Sequence, residues 1–206
     1  MSLADYTGLK SSISDWVHRG DVSAGATVVD DFIDMAEAEF NAILRVRSME
    51  AQTDIAMSGG YINHPTDWLG WKRLSLITGG RYTDLQPAPL EYRRIIGDGS
   101  TGQSWYYSVL GSKTYFDKAT NYTISTTYYQ SIPALSTSNT TNWLLTKFPQ
   151  AYLYGCLLKT EAYLQNDPRL QVWKMAYDEA MATVLKDSVM SIRGGQTPVM
   201  RTPTVF

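Results

Sequence analysis

Hydrophobic positions recur every three or four residues towards both ends of the chain and lose that period in the middle. Over residues 8–18, Leu9, Ile13, Trp16 and Val17 fall at helical spacing. Over residues 25–46, Val29, Phe32, Ile33, Ala36, Phe40, Ile43 and Leu44 form one apolar stripe, which predicts an amphipathic helix of about five turns. The opposite face carries Asp30, Asp31, Asp34, Glu37 and Glu39. The acids come early and Arg45 and Arg47 come late, the order that the helix dipole favours. Gly20-Asp21 separates the two helices.

From Ser48 to Pro133 the helical period is gone. Gly59-Gly60, Gly70, Gly79-Gly80, Gly97, Gly99, Gly102 and Gly111, with Pro65, Pro87 and Pro89, cut this stretch into short pieces rich in Trp, Tyr, Thr and Ile. Ser104–Leu110 and Lys113–Asp117 flank Gly111-Ser112, a spacing that suits a two-residue hairpin turn. The Thr-Tyr alternation over Tyr122–Ser131 and the run Trp71–Ile77 predict further strands. Pro87 and Pro89 suit the start of a short helix over Ala88–Ile95.

Helical periodicity returns at Asn142. The segment 142–165 is apolar nearly all round from Phe148 to Leu158, the pattern of a helix buried on more than one side. Pro149 either sits in its first turn or divides it in two. Asn166-Asp167-Pro168 then predicts a stop and a restart, with Asp167 as N-cap and Pro168 as the first residue of a helix over 168–189. That helix places Trp173, Tyr177, Ala180, Met181, Val184 and Leu185 on one face, with Lys174 and Asp178 as an i,i+4 pair on the other.

The remaining segment, 191–206, holds Gly194-Gly195, Pro198 and Pro203 and is not expected to be helical. It also carries Val199, Met200, Val205 and Phe206 as apolar anchors, with Arg193 and Arg201 as cations. Fully extended it reaches roughly 50 Å. It reads either as a frayed terminus or as an arm that orders against another chain.

These patterns predict an α+β fold. A mainly helical body is built from antiparallel helices of both chain ends (1–47 and 134–190). A β-rich insertion with a short helix occupies 48–133, and an extended C-terminal arm occupies 191–206. At 206 residues the chain is long enough for a sizeable core without disulfides or a structural metal. The single Cys rules out a disulfide framework and any Cys-based zinc site. With 18 Lys+Arg against 20 Asp+Glu the net charge is −2, so no global pull towards nucleic acid or anionic lipid exists. The opening residues lack a basic start and an apolar run, so no secretory signal is expected. No window approaches ~18 uninterrupted apolar residues, so no membrane span is expected. The sequons Asn121-Tyr122-Thr123 and Asn139-Thr140-Thr141 then read as Thr-rich strand and loop.

Catalytic patterns are missing. His18 ends the first helix, where a donor suits the last carbonyls, and His64 precedes Pro65; neither belongs to a metal-binding motif. No nucleophile elbow, phosphate loop or dinucleotide fingerprint occurs. Gly111-Ser112-Lys113-Thr114 lacks the upstream glycines of a phosphate loop and sits between strands. The loop Gly97–Gly102 has too few carboxylates for calcium. No catalytic, cofactor or metal residue is expected. The helix acids read as a solvated face or a subunit contact, although an acid pair such as Asp34 and Glu37 is also what a hydrolase would use. Cys156 reads as a small core residue.

The aromatic residues Trp68, Trp71, Trp105, Tyr106 and Tyr107 concentrate in the β-rich middle. They can form a core, a sugar- or base-stacking face, or a protein interface. The carbohydrate- or receptor-binding module built on such a face is the main alternative to a structural role.

Two stretches carry a family resemblance. One is VVDDFIDMAEAEFNAILRVRSMEAQT, an acidic amphipathic helix running into an Arg-rich end and a strand. The other is YYQSIPALSTSNTTNWLLTKFPQAYLYGCLLKTEAYLQNDPRLQVWKMAYDEAM, with its Tyr-Tyr strand, Ile132-Pro133, Asn142-Trp143-Leu144-Leu145, Pro-initiated helix and Asn166-Asp167 turn. In this order the pieces resemble the head–tail adaptor (connector, head-completion) proteins of tailed bacteriophages. The resemblance implies a non-enzymatic virion protein of the neck, assembled in the bacterial cytoplasm. It implies a ring, commonly of twelve subunits, that docks on the portal protein. Such a ring extends the channel through which genomic double-stranded DNA passes without specific binding, and offers a platform to a tail or nozzle protein. No cofactor and no membrane are implied.

On that footing the expected sites are interfaces. Arg193, Pro198, Val199, Met200, Arg201, Pro203, Val205 and Phe206 form the portal-docking arm. Asp30, Asp34 and Glu37 face Arg45, Arg47, Arg93 and Arg94 across the ring contact. Trp68, Trp71, Trp105, Tyr106 and Tyr107 lie towards the tail.

Overall fold

A computed structural model describes residues 3–18, 22–25, 27–91, 101–119, 121–160, 163, 168–192 and 194. The chain divides into two compact units, one from residues 1–48 with 132–206 and the other from Met49–Ser131.

In the first unit, α1 (Tyr6–Val17) starts at Asp5, whose side chain accepts the Gly8 N–H, and ends at His18. His18 closes the helix with its backbone: at φ 57° its N–H reaches the Ser14 carbonyl. α2 (Thr27–Ile43) buries Val29, Phe32, Ile33, Ala36 and Phe40. It stops short of the expected 46 because Arg45 turns back and donates to the Asn41 and Leu44 carbonyls at 2.7 and 2.6 Å. Ile43, expected in the stripe, is 57% exposed.

α3 (Trp143–Lys147) is capped by Asn142, and α4 (Pro149–Lys159) opens directly on Pro149 after Phe148 breaks the helix. Pro149 therefore both divides the segment and begins the second helix, where its missing N–H costs nothing. α5 (Leu170–Ile192) begins two residues later than expected, since Pro168 and Arg169 form a turn; the first ladder bond runs from the Trp173 N–H to the Arg169 carbonyl. The expected cap Asp167 lies outside the described residues, as does the Gly20-Asp21 separator. The helix also runs on through Ser191 and Ile192, which the sequence assigned to the arm.

Helix α4 packs against α1, α2, α3 and α5. Its buried residues Ala151, Tyr152, Leu153, Gly155, Cys156 and Leu157 go nearly round its circumference. Gly155 is the point of closest approach. A Cβ there would lie 2.8 Å from Cζ of Phe40 and 3.4 Å from Tyr177. Phe40 is fully buried, with ring centroids 5.1 Å from Tyr152 and 6.4 Å from Tyr177, so its ring has nowhere to retreat.

Among its described residues the second unit holds two four-stranded sheets. β1 (Glu50–Ala56), β8 (Thr123–Gln130), β3 (Trp68–Thr78) and β4 (Arg81–Asp84) form the first, in that spatial order and antiparallel throughout. β2 (Tyr61–Asn63), β7 (Lys113–Phe116), β6 (Tyr106–Leu110) and β5 (Gln86–Pro87) form the second. The β6–β7 hairpin turns at Gly111 (φ +59°) as expected. Pro87 lies in the edge strand β5, paired in parallel with β6, rather than at the start of a helix. Of the short helix expected at 88–95, Leu90 and Glu91 are helical and the residues from 92 onward lie outside the described set. Leu74, Leu76 and Ile124 of the first sheet and Ile62 and Phe116 of the second share one core with Met57 and Leu85.

Gly155→Ala gains about 1 kcal/mol of helix propensity but forces about 1–3 kcal/mol of overpacking against Phe40. The expected outcome is net destabilisation, read as a lowered urea midpoint at unchanged helix content. Adding Phe40→Leu to the Gly155→Ala variant should recover part of the loss.

Candidate functional site

The acidic helix α2 is where the sequence placed half of a subunit contact, and its acids have three different fates. Asp30 accepts from the Tyr6 hydroxyl at 2.6 Å and pairs with Lys10 at 2.6 Å. Burial opposes ionisation there, but Lys10 and Tyr6 prevail and hold the carboxyl below its ordinary range. Asp31 and Asp34 are exposed.

Glu37 is not on a solvated face. It is 5% exposed, and its Oε1 accepts from the Leu135 N–H at 2.9 Å and the Tyr152 hydroxyl at 3.0 Å. The cause of this burial is the linker that follows β8. In the linker 132–142, Ile132 and Leu135 are buried beside α2, and buried backbone donors need acceptors. Asn41 supplies one, accepting from the Ile132 N–H at 2.8 Å, and Glu37 supplies the next. Asn142 completes the network. Its amide donates to the Pro133 carbonyl and to the Tyr152 oxygen, while its carbonyl caps α3 at the Leu145 N–H. Burial raises the Glu37 carboxyl above its ordinary value, more than the Leu135 and Tyr152 donors lower it. Glu39 is likewise engaged, with Lys159 and with the Tyr177 hydroxyl at 3.0 Å.

Of the expected basic half, Arg45 and Arg47 are described. Arg45 caps its own helix, and Arg47 sits in a 3₁₀ turn (Arg47–Met49) pinned by its N–H to Ser188 Oγ at 2.9 Å. Arg93 and Arg94 lie outside the described residues. So do Arg193, Pro198, Val199, Met200, Arg201, Pro203, Val205 and Phe206 of the arm.

The aromatic set divides. Trp68 and Trp71 join His64 and Tyr128 in one cluster within the second unit, with His64–Trp68 centroids 3.9 Å apart and Trp71–Tyr128 5.9 Å. Thr114 Oγ1 accepts from the Trp71 indole at 2.7 Å and shares a 2.8 Å hydrogen bond with His64 Nε2. Burial holds the imidazole below its ordinary pKa. Tyr106 and Tyr107 are half-buried in β6, and Tyr107 packs against the shared core. Trp105, 52% exposed, is the member presented to solvent.

Two surfaces of the helical unit escaped the sequence reading. One is the outer side of α5, where Val172, Met175, Leu185, Val189, Met190 and Ile192 are exposed, Met175 at 74%. Leu185, expected on the buried face, belongs here. The signal was present: 175, 182, 185, 189 and 192 form a second apolar stripe, about 130° from the first at 100° per residue. The other surface is a cavity of about 330 Å³ at the α3–α4 elbow, lined by residues 147–151 with Ala180 and Thr183 of α5. Cys156 is fully buried, and burial pushes its thiol well above the ordinary range.

No group of His, Cys, Asp and Glu able to hold a metal occurs among the described residues, and none of their helices is long and apolar enough to cross a membrane. The family model described as SU10 adaptor protein matches residues 4–201. No curated protein matches the chain.

Glu37→Ala strands the Leu135 N–H and the Tyr152 hydroxyl and should cost about 2–4 kcal/mol. Glu37→Gln keeps an acceptor and carries no charge. Because the folded-state pKa is raised, the wild type loses stability relative to the Glu37→Gln variant as pH climbs from the ordinary carboxylate value through the raised one. Paired urea titrations between about pH 4 and pH 8 check both the size and the sign.

Proposed function

Because the chain belongs to the SU10 adaptor protein family, whose members are phage head–tail adaptors, we propose that it forms a ring in the virion neck. The ring docks on the portal protein, continues the DNA channel, and gives the tail or nozzle its attachment platform. The observation that supports an assembly role most directly is the second apolar stripe of α5. A helix that buries one face and leaves Met175, Leu185, Val189 and Ile192 exposed on another is built to meet a further protein surface. The acids of α2 support the same reading, since Asp30, Glu37 and Glu39 serve internal contacts rather than a reacting centre.

Subunits of a ring meet through two different faces whose relation closes by rotation. Twelve copies is the number the resemblance implies. Residues 193–206, the expected arm less the two residues that α5 takes, carry Arg193, Arg201 and the apolar anchors and are the segment assigned to the portal. The exposed Trp105 of the β-rich unit is assigned to the tail side. DNA passes such a ring without being held. A net charge of −2 suits a wall that does not gather phosphates.

A chain ending at Ile192 should keep the far-UV circular dichroism and melting of the full chain but fail to sediment with portal-bearing capsids. Normal attachment of the truncated chain would reject the arm assignment. The isolated protein should show no tight, salt-sensitive binding to duplex DNA. A steep fall of affinity with salt would reject a non-adhesive channel.

A further inference from the structure

Within the helical unit, one face offers a ridge and another a socket. The ridge is the outer side of α2, where Asp31, Met35, Ala38 and Ala42 follow one another at i, i+4, i+7 and i+11 with Asp34 alongside. All five are exposed, Met35 at 46%. The side chain at the centre of this ridge is a flexible apolar one, its flanks are acidic, and its neighbours Ala38 and Ala42 are small enough to let another surface come close. No cation pairs with Asp31 or Asp34 among the described residues.

The socket is the cavity at the α3–α4 elbow. Phe148, Pro149, Ala151 and Ala180 make it apolar, and its about 330 Å³ exceeds the volume of a methionine side chain. Among the described residues its only charged lining residue is Lys147, which is exposed and has no carboxylate partner there. Ridge and socket share no residue, so each is free to meet the other on a second molecule.

We infer that the ridge of one copy seats in the socket of the next, with Met35 entering the cavity and Asp34 and Asp31 meeting Lys147. This rests on the ring proposed above and specifies its contact. The polarity match selects the occupant. An apolar knob flanked by two carboxylates fits an apolar hole with one lysine at its edge, and both are carried by the same chain, so a second copy supplies what each lacks. The contact is heterologous, as a closed ring requires. It uses Lys147 where the sequence suggested arginines, of which Arg45 is committed to its own helix end.

Thiol cross-linking tests the contact. The single native cysteine is fully buried, so introduced thiols are the reactive ones. Chains carrying both Met35→Cys and Thr183→Cys, assembled with portal-bearing capsids and treated with a short bis-maleimide, should give a ladder of linked multimers. An equal mixture of the two single variants should give linked pairs only, and either single variant alone none. Linked pairs from a single variant would overturn the contact by showing a two-fold arrangement. Rings seen by electron microscopy without cross-links would overturn the contact and leave the ring standing. A chain that stays monomeric on portal-bearing capsids would overturn both. Charge reversal supplies the second measurement. Lys147→Glu should lower the assembled fraction about tenfold, and adding Asp34→Lys in the same chain should restore it. Failure of both effects in assembled rings would also overturn the contact.

Discussion

The helical unit depends on how closely aromatic rings crowd the middle of α4. Phe40 from α2 and Tyr177 from α5 meet over Gly155, a position where no side chain fits. That absence lets two helices from distant parts of the chain share a third as their common neighbour. Once they are so close, the polar groups nearby must find partners inside the fold. The Tyr152 hydroxyl, Glu37 and Asn142 do so with one another and with the linker. Packing thus sets the distances, and the hydrogen bonds fix which way the linker runs.

This arrangement explains how α2 divides its charges. Its inward edge carries acids that are buried or paired within the chain, and its outward edge carries Asp31 and Asp34 beside Met35, Ala38 and Ala42. The acidic side chains of one helix therefore do two kinds of work. A helical wheel groups them together because it counts polarity and not the surroundings. The same logic separates the aromatics of the other unit. Trp71 gives its indole N–H to Thr114 inside a ring cluster, while Trp105 stands at the surface.

Much of the secondary structure was legible in the residues, and for definite reasons. The α2 stripe has one period and one partner face. The β6–β7 hairpin is announced by Gly111, which must take a positive φ, and the Thr-Tyr alternation of β8 has little use outside a strand. The misreadings also have reasons. Pro87 looks like a helix start until an edge strand is there to tolerate it. Leu185 has the right residue type for the core and the wrong angle for it. Glu37 is the clearest case. Its burial is caused by a linker far away in sequence, so no local pattern encodes it. The elbow cavity is invisible for the same reason, since it exists only where residues 147–151 meet Ala180 and Thr183.

The two parts of the helical unit flank the strand-rich unit along the chain, and this orders events at the ribosome. The stretch 49–131 is contiguous and has its own core, so it can complete itself as soon as it emerges. α2 cannot. Its partners α4 and α5 are translated on the order of ten seconds later at elongation rates of about 5–20 residues per second. During that interval Phe32, Ile33 and Phe40 stay without the neighbours that bury them in the finished molecule. Translation speed between the two halves, and the access of chaperones to the waiting helix, therefore act on apolar side chains that no contact yet covers.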